Sequence, residues 1–314
     1  ASVGVTVFPD DGVDPDTLIK NADIAMYRAK ETGKGRCSVF TPAMNERVVK
    51  RLKLENELRK AIEAKELLPY YQPLVDVQTG EVTGMEALVR WQKEHGELIS
   101  PISFLPTAEE TGLILQIDEH ILRTACAYVK KLNDSRNGNN LYVSVNMSAR
   151  QLGRRDIVET VISAYTQAGL EPENLGLEVT EGIIIDNFDN AVNILTRIRD
   201  LGVRIFLDDF GTGYSSLSYL KKLPLDVLKM DKTFVSDLPE DKNSRAIAHA
   251  ITSMAHELGI KMVAEGVETE GQLEYLRSIG CDIIQGYIYS KPLPGDKLKN
   301  FVSEKKQLGE VTRI

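Results

Sequence analysis

The stretch from residue 175 to residue 209, LGLEVTEGIIIDNFDNAVNILTRIRDLGVRIFLDD, decides the fold. Its two ends, Leu175–Thr180 and Val203–Asp208, are short apolar runs of the kind that form buried strands. Between them, apolar residues recur at helical spacing, and Gly202 follows as a helix stop. The residues of this apolar stripe are Phe188, Ala191, Val192, Leu195, Ile198 and Leu201. The stretch therefore predicts a strand, a helix and a second strand in sequence.

The same alternation extends on both sides of this stretch. It gives eight candidate strands, at residues 67–77, 82–90, 141–147, 175–180, 203–208, 227–230, 261–265 and 283–288. Eight strands alternating with helices over roughly 240 residues fit a (β/α)8 TIM-type barrel, which typically has about 250 residues. The first two strands are joined only by Gln78-Thr79-Gly80, which is too short for a helical crossover. We therefore expect an α/β barrel with one antiparallel strand.

Residues 1–65 follow a different pattern. A strand, a turn at Pro9-Asp10-Asp11-Gly12, a helix from Pro15 to Glu31 and a second strand near Cys37 predict a partial α+β unit. This unit is too small to fold alone. Residues 44–65, rich in Arg, Lys and Glu with leucines at helical spacing, predict a connecting helix. Because the chain opens within a strand, without Met or a signal peptide, we expect it to be a piece of a longer protein.

Charge and cysteine content argue against several classes of protein. The 38 Lys and Arg residues against 46 Asp and Glu residues give a net charge of −8, which disfavours DNA binding through a basic surface. No run approaches the roughly 20 consecutive apolar residues of a membrane helix. Cys37, Cys126 and Cys281 are far apart, so we expect neither a disulfide framework nor a zinc site, and a cytoplasmic location fits best. The four histidines are scattered and do not suggest a metal site.

Polar side chains occur at the ends of seven of the eight candidate strands. They are Glu86, Asn146, Glu178, Glu181, Asp208, Asp209, Lys229, Asp231, Glu265 and Gln285. In a barrel of parallel strands, residues at the carboxyl ends converge on one face, where active sites are built. We therefore expect these side chains to form one site.

The oxygen-rich part of this set predicts a site for divalent cations. Carboxylates at close quarters repel one another, and a cation relieves that repulsion. Its candidate ligands are Glu86, Asn146, Glu178, Asp208, Asp209 and Glu265, and the absence of Cys and His from this set favours Mg²⁺ or Mn²⁺ over Zn²⁺. The Asp208-Asp209 pair suggests two metals, with one carboxylate bridging both and the next binding only one. Such a pair of metals suits hydrolysis of a phosphodiester by an activated water. Lys229, inside an apolar strand, would orient that water or stabilise charge on the phosphate.

A glycine-rich segment follows directly after two of these candidate ligands. It runs from Asp209 through Phe210, Gly211, Thr212, Gly213, Tyr214, Ser215 and Ser216 to Leu217. Taken alone, the segment is an ordinary turn between strand and helix. Its position beside the candidate ligands also suits a mobile loop at the site.

Several short motifs, in this order, resemble those of the EAL family of cyclic di-GMP phosphodiesterases. They are Glu86-Ala87-Leu88, the segment 208–217 beginning Asp208-Asp209-Phe210, Lys229-Met230-Asp231, Ala264-Glu265-Gly266-Val267-Glu268 and Gln285-Gly286-Tyr287. The resemblance covers roughly residues 50–303. It implies a Mg²⁺- or Mn²⁺-dependent enzyme, with two ions expected in each site, that opens cyclic di-GMP to linear pGpG, and a homodimer formed through the barrel.

The resemblance also implies roles for individual residues. The implied metal ligands are the same six that the strand ends select. Lys229 matches the lysine near the catalytic water, Glu181 the acid that anchors the glycine-rich loop, and Glu86, Glu268 and Asp231 are further candidates for the chemistry. Implied substrate contacts are Gln72, Leu88, Arg90 and Gln285, with Arg90 facing phosphate.

Residues 1–43 resemble the C-terminal end of a GGDEF diguanylate cyclase domain, particularly from Asn21 to Lys30. The Gly-Gly-Asp-Glu-Phe signature is absent from the sequence, so cyclase activity is not expected in this chain. The expected organisation is a GGDEF remnant at 1–43, a linker helix at 44–65, the EAL barrel at 66–303 and a tail at 304–314. A parent protein could be tethered to a membrane through segments upstream.

Two further hypotheses stay open. A catalytically weak or inactive EAL domain would act as a receptor that binds cyclic di-GMP without turnover. A barrel hydrolase acting on another phosphodiester would share the metal site but not the substrate. The complete set of candidate ligands favours an active cyclic di-GMP phosphodiesterase.

Overall fold

The computed structural model describes residues 1–31, 33, 35–94, 96–136, 140–185, 187–211 and 220–303. The predicted C-terminal tail at 304–314, and residues 212–217 of the predicted glycine-rich loop, lie outside the described residues. The chain divides into two compact units. The first contains residues 1–64 and 102–111, and the second contains residues 65–101 and 112–314.

The first unit is a small α+β assembly. Strands β1 (Val3–Val5) and β2 (Cys37–Val39) pair in parallel, and helix α1 (Pro15–Glu31) connects them. Helix α2 (Pro42–Glu63) follows, and the unit also contains most of helix α3 (Pro101–Thr111). The predicted connecting helix thus begins slightly earlier than expected, because a proline is well tolerated in the first turn.

The second unit is an eight-stranded closed barrel. Its strands are β3 (Leu67–Asp76), β4 (Val82–Gln92), β6 (Tyr142–Asn146), β7 (Leu175–Thr180), β8 (Arg204–Phe210), β9 (Val227–Met230), β10 (Lys261–Ala264) and β11 (Ile283–Ile284), while the short β5 (Leu98–Ile99) pairs with β4 outside the barrel. Strand β3 closes the barrel between β4 and β11 and runs antiparallel to both. All other neighbours within the barrel are parallel. The predicted (β/α)8 barrel with one antiparallel strand is confirmed.

Helices follow the strands as the apolar stripes predict. They are α4 (Ile114–Asp134), α5 (Ala149–Leu152), α6 (Ile157–Ala168), α7 (Glu181–Ile185), α8 (Phe188–Asp200), α9 (Lys242–Glu257), α10 (Glu270–Ser278) and α11 (Gly295–Ser303). The stripe of α8 is buried at Ala191, Leu195 and Ile198. At the start of α10, Thr269 and Gln272 form the predicted capping box. Among the described residues, none of the helices combines the length and the apolar character needed to span a bilayer.

One apolar layer fills the barrel interior and fixes the height of the site. Its members are Leu74, Tyr142, Phe206, Val227, Val263 and Ile283, all buried. Side chains alternate between the two faces of a strand, so the residue two positions further along faces the interior again. Counting two residues toward the open end from these members gives Gln72 on the antiparallel strand, and Ser144, Asp208, Lys229, Glu265 and Gln285 on or directly after the parallel ones. The apolar layer is therefore the floor on which the polar side chains lie.

Two glycines make room for the aromatic rings of this floor. A Cβ atom at Gly84 would lie 2.6 Å from the ring of Tyr142, and one at Gly176 would lie 2.4 Å from the ring of Phe206. Both strands return to a glutamate two residues later, at Glu86 and Glu178. The two glycines thus leave room for the rings of Tyr142 and Phe206 in the apolar layer, and the same strands place carboxylates in the polar layer.

We expect Gly176→Ala to lower the free energy of unfolding by about 1–3 kcal/mol, because the new methyl group overpacks the floor against Phe206. The measurement is urea denaturation followed by circular dichroism. Gly182→Ala is the matched control, since a Cβ there meets no atom within 4 Å. Equal losses in both variants would contradict this account of the floor.

The last strand is shorter than predicted. Strand β11 ends at Ile284, whereas the apolar run predicted a strand to Ile288. A Cβ at Gly286 would lie only 2.0 Å from the carbonyl oxygen of Val267, so the backbone of the segment after β10 crosses close to Gly286. Hydrogen bonds from Gln285 N to Ala264 O and from Val267 N to Gln285 O continue the pairing in irregular form. The close approach of Val267 to Gly286 thus occurs where the sequence predicted the end of the strand.

Candidate active site

A buried lysine lies at the centre of the polar layer. Lys229 is only 1% exposed, and its Nζ lies 2.6 Å from Glu265 Oε1, 3.2 Å from Asp208 Oδ1 and 3.3 Å from Glu86 Oε2. It also forms an ion pair with Glu178 Oε2. One ammonium group therefore faces four carboxylates, which four different strands position. We call these five residues the Lys229 cluster.

Glu86 is held on both of its carboxylate oxygens. Asn146 Nδ2 donates to Oε1 at 2.7 Å, and Gln285 Nε2 donates to Oε2 at 2.6 Å. The donation from Asn146 leaves the amide oxygen of that side chain available to a cation. Glu86 is 4% exposed, so its charge depends on these donors and on Lys229 rather than on water.

A backbone irregularity brings Asp208 and Asp209 to the same site. Neighbouring residues of a regular strand point to opposite faces, which would separate the two carboxylates. The pairing of β8 with β9 instead shifts register between Leu207 and Phe210, and Asp209 has φ 55, in the left-handed region. Bulges of this kind redirect a side chain, and Asp tolerates the left-handed conformation better than most residues. As a result, carboxylate oxygens of Asp208, Asp209 and Glu265 lie within 4.8 Å of one another.

Burial and neighbouring charges shift the pKa values of Glu86 and Glu178, two of the three glutamates beside Lys229, in opposite directions. Burial alone would raise the pKa of Glu86, but the charge of Lys229 and hydrogen bonds from Gln285 and Asn146 outweigh it, so that pKa is lowered. For Glu178, burial and the charge of Glu86 raise the pKa well above its ordinary value. Without a bound cation, Glu86 is therefore the preferred anion and Glu178 resists ionisation.

The pKa values of Lys229, Glu265 and the neighbouring Asp209 are also raised. Burial would lower the pKa of Lys229, but the surrounding carboxylates, with Glu178 the strongest, raise it well above its ordinary value. Burial raises the pKa of Glu265 to about 7, with Asp208 adding to the shift and Lys229 opposing it. Burial and the charge of Asp208 also raise the pKa of Asp209. The carboxylates thus outnumber the positive charge available to them.

These residues fit a divalent cation. The donors are carboxylate and amide oxygens, which hard cations such as Mg²⁺ prefer. Glu178 is buried, and its Oε1 lacks a hydrogen-bond partner within the described part of the chain. A buried carboxylate oxygen without a donor is costly unless a cation faces it. The set that would hold the metal is therefore the one predicted from the strand ends, namely Glu86, Asn146, Glu178, Asp208, Asp209 and Glu265.

We expect the affinity for Mn²⁺ to rise with pH through about 7. Glu265, with a pKa of about 7, carries a proton at lower pH, and the proton must leave before the carboxylate binds a cation. Calorimetric titration in two buffers of different ionisation enthalpy would count the protons released. An affinity independent of pH between about 6 and 8 would contradict this ligand assignment.

The other predicted site residues lie at different depths. Gln72 and Gln285 are buried and hydrogen-bonded to each other, with Gln285 Nε2 donating to Gln72 Oε1 at 3.1 Å. Leu88 and Arg90 are half-buried on β4, beyond Glu86 toward the strand end. Burial lowers the pKa of Arg90, with the charge of Glu86 among the opposing effects, and the guanidinium stays charged. The structure thus joins the two glutamines to the Lys229 cluster and leaves Leu88 and Arg90 at its margin.

Besides Asp209, three predicted acids lie outside the Lys229 cluster. Asp231 Oδ1 accepts a hydrogen bond from Thr233 N at 3.0 Å and caps a short 3₁₀ turn, while its charge helps to raise the pKa of Asp209. Glu181 is the first residue of α7. Glu268 is exposed just before α10, and its backbone N donates to Gln272 Oε1 at 2.8 Å. The structure does not bring their carboxylates into contact with Lys229.

Sequence reasoning missed Ser144, which lies in the same layer. Ser144 is fully buried, pairs in register with Glu86 on β4, and its hydroxyl lacks a partner within the described residues. The alternation along β6 would have found it, because it lies two residues before Asn146.

Comparison with known protein families identifies relatives of the chain. Residues 55–292 match the family model described as EAL domain. The chain belongs to the EAL domain family. Residues 1–36 of this EAL chain match a second model, described as diguanylate cyclase, GGDEF domain.

Relatives of this EAL chain include two proteins of Pseudomonas aeruginosa. The cyclic di-GMP phosphodiesterase NbdA is 43% identical over 302 residues, covering 96% of this chain and 38% of NbdA. The bifunctional diguanylate cyclase/cyclic di-GMP phosphodiesterase MucR is 42% identical over 298 residues, covering 95% of this chain and 43% of MucR. The chain thus spans about two fifths of the length of these relatives. A solved structure of the PaMucR phosphodiesterase in complex with c-di-GMP is 42% identical, with a TM-score of 0.75, and the match covers 78% of this chain and 99% of that one.

Proposed function

We propose that this chain is a metal-dependent phosphodiesterase that hydrolyses cyclic di-GMP to linear pGpG. The observation that carries the proposal is the Lys229 cluster, in which one buried ammonium faces four carboxylates beside Asn146 and Asp209. Support also comes from relatives that are named cyclic di-GMP phosphodiesterases and from the related PaMucR structure in complex with c-di-GMP.

The reaction adds one water to one of the two phosphodiester bonds. A bond forms between the water oxygen and phosphorus, the bond from phosphorus to the 3′ oxygen breaks, and the second water proton ends on that oxygen. Mg²⁺ or Mn²⁺, two ions per site in our proposal, would polarise the phosphodiester and lower the pKa of the attacking water. The six oxygen ligands would hold these ions, and Asn146 would offer its amide oxygen because its nitrogen donates to Glu86.

Lys229 has a distinct part in this proposal. Its ammonium is fixed by the barrel wall and stays protonated, as the raised pKa requires. Once cations neutralise the carboxylates, its N–H groups are available to orient the water or to stabilise charge on the phosphate. A side chain with neither charge nor an N–H donor at this position would supply neither effect.

The margin of the site would bind the substrate. Arg90, half-buried on β4, would pair with a phosphate, and Leu88 would contact the nucleotide. Glu181 would anchor the glycine-rich loop, and Glu268 and Asp231 would support the chemistry from outside the Lys229 cluster.

We further propose the organisation of the chain and its surroundings. Residues 1–43 would be a GGDEF remnant, 44–65 a linker helix, 66–303 the EAL barrel and 304–314 a tail, within a longer protein. The barrel would form a homodimer. The three free cysteines, two of them buried, suit a cytoplasmic location.

The test is turnover of cyclic di-GMP by the purified chain, with Mg²⁺, with Mn²⁺ and after complete chelation. We expect turnover with either cation and none after chelation, and faster turnover of cyclic di-GMP than of other cyclic dinucleotides. Activity that survives chelation would overturn the metal mechanism. Tight binding of cyclic di-GMP with no product over a long incubation would identify a receptor instead.

A further inference from the structure

Two buried glutamines form a hydrogen-bonded chain that ends on Glu86. Gln72 Nε2 donates to Ser290 O at 3.2 Å. Gln285 Nε2 donates to Gln72 Oε1 at 3.1 Å and to Glu86 Oε2 at 2.6 Å. The chain therefore connects the backbone after β11 with the carboxylate on β4, through a side chain of β3.

The barrel topology makes this connection possible. Strand β3 is antiparallel to β4, and Gln72 is the register partner of Glu86. Gln285 follows β11, the other neighbour of β3. The pairing of β3 with β4 places the amide of Gln72 at the level of Glu86 and so at the level of the Lys229 cluster. The parallel strands contribute mainly charged groups at this level.

The donors of these amides are directed into the protein. Gln72 is 7% exposed and Gln285 is 5% exposed. A glutamine amide has two N–H donors, and those of Gln285 are both accounted for by Gln72 and Glu86. Gln285 is therefore buried with no donor to spare, and only its Oε1, which lacks a partner within the described residues, is left to accept a hydrogen bond.

We propose that Gln285 and Gln72 are positioning residues that fix the carboxylate of Glu86 for a divalent cation, and are not substrate contacts. The proposal rests on the metal site of the proposed function. Asn146 holds Oε1 of Glu86 and Gln285 holds Oε2, so the plane of the carboxylate is set from both sides. Gln72 acts one step further away, because it orients the amide of Gln285.

This role has a consequence that a substrate contact does not share. If Gln72 acts only through Gln285, its removal has little effect once Gln285 is gone. Two independent substrate contacts would instead give effects that multiply. A positioning role also acts on the cation before any nucleotide is present.

The experiment compares Gln285→Leu, Gln72→Leu and the double variant in the full chain. Mn²⁺ binding is measured by calorimetry without nucleotide, and turnover of cyclic di-GMP is measured separately. We expect Gln285→Leu to weaken Mn²⁺ binding by about 10–100-fold, as loss of an outer-shell partner does, and to lower kcat more than it raises KM. We expect Gln72→Leu to weaken it less, and the double variant to match Gln285→Leu within about twofold.

Asn133→Leu is the matched control. Asn133 brackets the backbone of Leu141 with two hydrogen bonds, at 2.9 and 3.0 Å, and makes none to the Lys229 cluster. Its loss should reduce stability and leave Mn²⁺ affinity unchanged. If Gln285→Leu does not fold, Gln285→Asn, which keeps the amide but is one methylene shorter, should weaken Mn²⁺ binding in the same direction.

The outcomes separate this proposal from the proposed function. Unchanged Mn²⁺ affinity with a raised KM in Gln285→Leu would overturn the positioning role and make Gln285 a substrate contact. A wild-type chain that binds no Mn²⁺ would also overturn it. A wild-type chain that binds Mn²⁺ but does not hydrolyse cyclic di-GMP would contradict the proposed function alone, and the weaker binding of the variants would still support the positioning role.

Discussion

Lys229→Met should lower the free energy of unfolding of the metal-free chain by about 3–5 kcal/mol, because it leaves four carboxyl groups, three of them buried, without their shared cation. Methionine fills a similar volume, so the loss would come from charge rather than from a cavity. Urea denaturation in the presence of a chelator measures it. We expect saturating Mg²⁺ to restore part of the loss, because bound cations stabilise the folded state.

The same substitution should lower kcat for cyclic di-GMP by about 10²–10³-fold even when the site is saturated with metal. Lys261→Met is the control, since Lys261 is exposed at the start of β10. That variant should keep both stability and turnover. A Lys229→Met chain with wild-type stability in chelator would show that the carboxylates do not depend on the ammonium.

Glu178→Gln and Glu86→Gln should have opposite effects on the stability of the metal-free chain at pH 7. The pKa of Glu178 is raised in the folded state, so its charge opposes folding above the pKa of the unfolded chain, and removing that charge should leave stability unchanged or higher. The pKa of Glu86 is lowered, so its charge stabilises the fold above the unfolded pKa, and its removal should cost stability.

Both glutamine variants should nevertheless lose at least about 100-fold in turnover, because each removes a proposed metal ligand and loss of outer-shell groups alone typically costs 10–100-fold. Unfolding in chelator and turnover with Mn²⁺ provide the two measurements. Glu119→Gln, which removes only an ion pair on the surface of α4 with Arg123, is the control for the chemical change. Loss of stability in Glu178→Gln equal to that in Glu86→Gln would contradict the charge balance described for the Lys229 cluster.

The strand pattern predicts the barrel and predicts that the candidate metal ligands lie close together, because the fold and the positions of these ligands both follow from local periodicity. Apolar runs at regular spacing located the strands, and the convergence of parallel strand ends placed Glu86, Asn146, Glu178, Asp208 and Glu265 together. Even the antiparallel strand followed from a link that was too short for a helix. These features depend on distances along the chain, which a sequence contains.

Features that depend on contacts between residues far apart in the sequence, or on local irregularities of the strands, could not be predicted. The Asp-Asp pair suggested shared metals, but only the bulge in β8 shows how two neighbouring side chains reach the same face. The sequence places Lys229 near the water or the phosphate, whereas the structure also makes it the counterion of four carboxylates. Gln72 and Gln285 are 213 residues apart, and only the closure of the barrel brings their amides together.

The most direct test of the central claim is product analysis after incubation of the chain with cyclic di-GMP and Mg²⁺ in ¹⁸O-labelled water. Attack of water on phosphorus predicts that a single turnover forms linear pGpG with one ¹⁸O atom in its terminal phosphate. Chelation of the metal should abolish formation of this product. Intact cyclic di-GMP after long incubation, or pGpG without the label in a single turnover, would contradict it.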